Sequence, residues 1–179
     1  MISRNWRWIA GTLLIAAVVH IVSLLLLPRL IMMRAMAAMT RMAVDNAIFY
    51  SPRPTAKSRS IVRPSPDLLY AICVYDLRAA GGVLRISTHD MPNTYWSVSI
   101  FDADTDNFYA LNDRQAKTGA ADFLLAAKGA SITAGQLPVI AAPTNRGIVL
   151  FRTLVDDERR LPEINAARHN ANCAPSKTG

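Results

Sequence analysis

Residues 95–101, Tyr95-Trp96-Ser97-Val98-Ser99-Ile100-Phe101 (YWSVSIF), alternate bulky apolar and small polar side chains with a period of two. That period puts Trp96, Val98 and Ile100 on one face of an extended strand and Ser97 and Ser99 on the other. The pattern repeats outward in both directions. Downstream, an acidic turn leads into a strand at Asn107–Leu111. Upstream, Leu69–Asp76 is apolar on both faces, as a central strand is, and Val83–Ser87 follows a Gly81-Gly82 turn. Asp122–Ala126, Val139–Ala142 and Ile148–Val155 bring the total to about seven short runs spaced by turn residues. This spacing predicts a mainly β domain, an antiparallel β-sandwich or jelly-roll-like fold. A doubly wound fold would need helices of about 10–15 residues between the strands. Only Pro162 to about Asn170 reads as helix in this half of the chain. Proline suits its first turn, Glu163 its positive end, and Arg168 and His169 its negative end.

The N-terminal end is different. Trp8–Leu27 (WIAGTLLIAAVVHIVSLLLL) is an apolar run without a formal charge. Its twenty residues, at about 1.5 Å rise each, span roughly 30 Å, the thickness of a bilayer's hydrocarbon core. Arg4 and Arg7 precede it, Arg29 follows it, and Trp6 and Trp8 lie at the depth where indoles settle. A signal h-region is shorter, about 7–15 residues, and ends at a small-x-small site. A retained transmembrane helix is therefore expected over residues 1–28, with Pro28 ending or kinking it. Residues 29–50, rich in Ala and Met, read as a juxtamembrane helix with Arg34 and Arg41 turned to lipid headgroups. Residues 51–66 hold four prolines, four serines and four bases and read as an extended linker. The β-sandwich domain is then expected over 67–155, followed by a C-terminal helix and tail over 156–179.

The formal charge of +7 is unevenly spread. Residues 1–64 carry nine Lys/Arg against Asp45 alone, whereas residues 65–179 carry eleven against twelve acids. The basic excess flanks the apolar run, where it attracts anionic lipid. A nucleic-acid interface would want it on the folded domain, so the expected partner is the lipid bilayer and no nucleic acid. Arginines on the two sides of the run nearly balance, and charge alone does not orient it. The two cysteines leave two arrangements open. A Cys73–Cys173 disulfide would pin the tail to the core and require an oxidising compartment; the other arrangement is a buried Cys73 thiol with a free thiol at Cys173.

The block Arg63-Pro64-Ser65-Pro66-Asp67-Leu68-Leu69-Tyr70, followed by Asp76-Leu77, resembles the domain of unknown function 1254 family, whose signature reads roughly R-P-N-x-D-T-L-Y before a strand ending in Asp-Leu. Tyr95-Trp96-Ser97-Val98, Asp102, Asn107-Phe108-Tyr109 and Thr118-Gly119 are similar to its later strands and turn. The chain departs from that pattern at Ser65 and Leu68, where the family usually has Asn and Thr. The resemblance covers about residues 61–155 and is nearest to short, membrane-anchored bacterial members. It implies a β-sandwich-like domain in the periplasm on a single-pass anchor in the inner (cytoplasmic) membrane, N-terminus in, and no established activity.

Several groups invite chemical readings. Asp102, Asp104, Asp106 and Asp113 occupy positions 1, 3, 5 and 12 of a calcium loop. Asn107 stands where that loop needs Gly, Asp113 is shorter than the usual bidentate Glu, and the flanks are strands. A polar hairpin turn is expected there, with no metal and no cofactor. Arg63, Asp67 and Tyr70 form a candidate polar cluster that would bind a carboxylate or fix a loop. Met33, Met36, Met39 and Met42 drift about 60° per step around a helix, so they read as packing and not as a thioether copper site. His20 is an ionisable group inside the apolar run, while His89 and His169 read as surface residues. There is no G-x-S-x-G, H-E-x-x-H, P-loop or dinucleotide fingerprint. A binding or interaction module, meeting another envelope protein or a small ligand, is expected ahead of an enzyme. The alternative is a hydrolase-like or carbohydrate-binding jelly roll using Asp67, Tyr95, Asp102 and Arg114. It requires those groups to converge in one pocket.

Overall fold

The computed structural model describes residues 2–59, 63–116, 118–130, 132 and 137–176, with side chains from residue 5 onward. Arg4's side chain and residues 60–62 of the proline-rich stretch lie outside the described residues. The elements are α1 (Ile2–Met39), β1 (Ile48–Tyr50), β2 (Leu68–Asp76), β3 (Val83–Ser87), β4 (Trp96–Asp102), β5 (Asn107–Asn112), β6 (Asp122–Ala127), β7 (Val139–Ala142), β8 (Arg146–Leu154), α2 (Leu161–Arg168) and β9 (Asn172–Pro175). All seven expected strands are present, within two residues at either end.

They form two sheets. One has the order β1-β2-β8-β4-β5 and is antiparallel throughout. The other has the order β7-β6-β3-β9, with a parallel β6–β7 pair. The core lies between them: Ala71, Tyr75, Trp96, Val98, Ile100, Val149 and Phe151 from the first sheet meet Leu84, Ile86, Phe123 and Leu125 from the second. Tyr109 and Phe123 touch across the gap, ring centroids 4.9 Å apart. A disulfide between Cys73 on β2 and Cys173 on β9 ties sheet to sheet over a sequence separation of 100. α2 closes one end of the sandwich by burying Ile164 against Leu69 and Val155.

Three expected boundaries are corrected. The helix does not stop at Pro28: α1 is a single helix through that proline to Met39. Proline forfeits one hydrogen bond, but the turns beyond it are held by packing. Met32, Ala35 and Met36 are buried against Val74 and Ile148 on the outer face of the five-stranded sheet, with Met39 beside them. Their i, i+3, i+4, i+7 spacing is one helical face. This stretch therefore packs on protein, and the expected second helix up to residue 50 gives way to β1, which pairs Ile48 with Cys73 and Tyr50 with Ala71. Secondly, the described parts of the expected linker, residues 51–59 and 63–66, are not a free tether. Pro54 is buried, and Arg53 donates to the Pro66 carbonyl and forks Glu158 at 2.8 and 2.6 Å. Thirdly, the tail supplies β9, paired with β3, so the folded unit reaches past both ends of 67–155.

The helix end is fixed from several directions. Arg29 forms a bidentate ion pair with Asp104 in the β4–β5 turn. Asn46, in left-handed conformation at φ 61°, donates its backbone N–H to the Val74 carbonyl and exchanges side-chain bonds with the Asp76 backbone. Arg146 bridges Asp45 and Asp76 at 2.8 and 3.3 Å. The 38-residue helix thus packs on the sandwich by its last turns, with its apolar first part unburied.

Candidate functional site

The expected polar entrance does not assemble. Arg63 and Asp67 are exposed, and no ion pair joins them among the described residues. The Tyr70 hydroxyl accepts from the Ser65 N–H at 3.0 Å, and the Ser65 hydroxyl accepts from the Asp67 N–H at 3.3 Å. These bonds shape the loop before β2, and Ser65 suffices for them.

The acidic hairpin is likewise structural. Asp102 is buried, and its carboxylate accepts backbone N–H groups of Asp104 and Asp106 at 2.8 and 3.0 Å. Thr105 sits at φ 73° to complete the turn. Asp104 faces Arg29, whose guanidinium holds its carboxyl below the usual carboxylate range. Asp113 lies at the other end of β5, with its N–H bonded to the Trp96 carbonyl. The calcium alternative therefore fails on geometry: its fourth carboxylate is a strand length from the other three.

The same distance separates the groups of the hydrolase alternative. Tyr95 precedes β4 and Asp102 ends it, about 20 Å away by strand rise. What does converge is Tyr95, Asp113 and Arg114, which line a cleft of about 460 Å³ with Asn93, Thr94 and Trp96. One Asp113 carboxylate oxygen there is buried without a partner.

Ser97 and Ser99, on the face of β4 opposite Trp96, are also buried. Arg152 on β8 donates to the Ser97 and Ser99 hydroxyls at 3.1 and 2.7 Å and covers them. On the sandwich edge, Arg168 donates to the carbonyls of Ser51 and Tyr70 at 2.7 and 3.1 Å and lies over the Tyr50 ring. Tyr50 stacks on His169 at 3.9 Å, so His169 is a packing residue. Burial pulls the Arg168 guanidinium below its usual value.

Sequence reasoning missed one cavity. Between α1, the outer face of the five-stranded sheet and the folded-back residues 51–59 lies a space of about 510 Å³. Ile31, Met32 and Ala35 form its helix wall, and Ile72, Phe101 and Leu150 form much of its sheet wall. The third wall carries Arg53, Lys57 and Arg59. The available signal was the helical spacing of Met32, Ala35, Met36 and Met39, which marks a face needing a partner. The fold-back itself depends on Arg53 meeting a residue 105 positions away.

The sandwich has known relatives. The chain is similar in structure to the VPA0106 protein from Vibrio parahaemolyticus, at 16% identity and TM-score 0.61, over 83% of this chain and 37% of that one. It also matches an uncharacterized protein from Burkholderia cenocepacia at 21% identity and TM-score 0.45, over 72% of this chain and 37% of that one. The chain thus spans little more than a third of the length of either, and the first likeness is one of fold. No curated protein matches. The family described as "Protein of unknown function (DUF1254)" matches residues 45–175, from just before β1 to the end of β9 and excluding α1. By that match, over most of its length, the chain belongs to the DUF1254 family.

Proposed function

We propose that this chain is a membrane-anchored envelope domain that works by binding, with α1 spanning the cytoplasmic membrane and the sandwich in the periplasm. One observation carries the reading: α1 is locked onto the sandwich by its last turns, while its apolar first part has no protein cover at all. Leu13, Leu14, Ile15, Leu24 and Leu25 each expose more than 60% of their surface. Apolar area on that scale is stable in lipid and not in water. The Cys73–Cys173 bond supports an oxidising compartment for the domain.

Binding is favoured over catalysis because, among the described residues, no nucleophile, base and acid meet in a concave site. The bilayer is the first partner, and another envelope protein is the second, meeting the exposed loops. An alkaline phosphatase reporter fused after residue 179 tests the orientation. Activity in intact cells is the expected result; activity only from a reporter that works in the cytoplasm would overturn it.

A further inference from the structure

The cavity beneath α1 has three properties that together specify a ligand. Its walls are apolar on two sides, from Ile31, Met32 and Ala35 on the helix and from Ile72 and Leu150 on the sheet. Its volume of about 510 Å³ lies within the range of ligand pockets, roughly 300–1,000 Å³. Its third wall is basic. Arg53 is engaged by Glu158, but Lys57 and Arg59 are exposed and have no ion-pair partner among the described residues. Residues 51–64 contain four bases and no acid.

Position supplies the rest. Ile31, Met32 and Ala35 follow Leu27, the last residue of the uncharged run, by four to eight residues, or roughly 6–12 Å along the helix. The headgroup layer is about 5–8 Å thick on each side of the hydrocarbon, so Ile31 and Met32 fall within it and Ala35 lies just beyond. A cavity at that depth lies beside lipid headgroups, and Ile31, half exposed, belongs both to its wall and to the uncovered surface of α1. We propose that it receives an acyl chain of an anionic phospholipid from that leaflet, with the headgroup phosphate held by Lys57 and Arg59. This inference rests on the anchoring reading and deepens it. The helix wall lies outside the family match at residues 45–175, so this lipid site belongs to the anchored chain and not to the sandwich alone.

The full chain in nanodiscs provides the test, with a trace of phosphatidylglycerol or phosphatidylcholine carrying a photoactivatable diazirine near the acyl terminus. Ultraviolet labelling followed by peptide mapping is expected to mark residues 9–27 with either lipid. Phosphatidylglycerol is expected to mark, in addition, the peptides bearing Ile72 and Leu150. Each basic residue at a membrane surface favours the anionic lipid by about fivefold. Lys57→Glu with Arg59→Glu, both at exposed positions, should therefore abolish the preference at Leu150 and leave labelling of residues 9–27 unchanged. Labelling confined to 9–27 would overturn the cavity proposal while leaving the anchor standing, as would equal labelling at Leu150 by both lipids. Absence of label from 9–27 would overturn the anchor and the cavity together.

Discussion

Breaking the Cys73–Cys173 bond is the perturbation whose size is best defined by the structure. The bond closes a loop with a sequence separation of 100. In the chain-entropy treatment, a loop of that length stabilises the fold by about 4.7 kcal/mol at 25 °C, and native disulfides in general give about 2–5 kcal/mol. The folded unit of about 130 residues has an unfolding entropy near 0.28 kcal/mol/K, at about 2.1 cal/mol/K per residue. Reduction should therefore lower Tm by roughly 7–17 °C. The loss has a place as well as a size. β9 is an edge strand held by four register pairs to β3 and by the Ser176 N–H donating to the Val83 carbonyl. Without the bond, its amides should be the first to exchange. The assay is thermal unfolding of the full chain in detergent micelles by circular dichroism, with and without a phosphine reductant, alongside thiol counting. Two new thiols accompanied by a Tm change under about 3 °C would refute the reasoning.

Other substitutions address the remaining packing claims. A Cβ at Gly147 would fall against the Phe101 carbonyl oxygen and the Tyr75 phenol, and a backbone atom yields little, so Gly147→Ala should cost about 2–3 kcal/mol in thermal or denaturant unfolding. Tyr75→Phe should change stability by less than about 1 kcal/mol, because the buried hydroxyl it removes makes no full hydrogen bond and has only a weak interaction with Thr144. The same variant tests a pH effect: burial pushes the Tyr75 phenol up to about 12. The proton is therefore held more tightly in the fold than in the unfolded chain, whose phenol titrates near 10. Stability from this group should be complete below about pH 10 and lost towards pH 12, and Tyr75→Phe should remove that part of the alkaline decline. Met36→Asp buries a carboxylate against Val74 and Ile148 and should release the helix end, seen as proteolysis between residues 28 and 44; Met33→Asp, on the exposed side, should not.

The sandwich was legible because alternation and turn residues are local signals. Val83–Ser87 and Val139–Ala142 fall where the period places them, and the 95–101 run correctly sent Trp96, Val98 and Ile100 to the core. β1 was not legible, since three residues carry no period and follow an Ala/Met-rich stretch that favours helix. Its pairing comes from the edge of β2. β9, with sequence Asn-Cys-Ala-Pro, is held by a cross-link and not by hydrophobic pattern. Ser97 and Ser99 lie on the other face as the period places them, and Arg152, more than fifty residues on, buries them there.

The candidate site followed the same logic. Tyr95, Asp113 and Arg114 meet because β4 and β5 pair as a hairpin, which the sequence implied. Asp102 could not join them, because six strand residues stand between it and Tyr95 and put it a strand length away. The cavity under α1 arises from contacts between segments far apart in sequence: the Met32, Ala35, Met36 and Met39 spacing marks one wall but not what faces it.

The claim on which the rest turns is that α1 stays attached and stays in lipid. Membranes from cells making the full chain, washed with alkaline carbonate to strip peripheral proteins, offer the direct test by intact mass. A chain near 19.6 kDa retained in the washed pellet is the predicted result. A shorter chain lacking its first residues and released into the wash would contradict it.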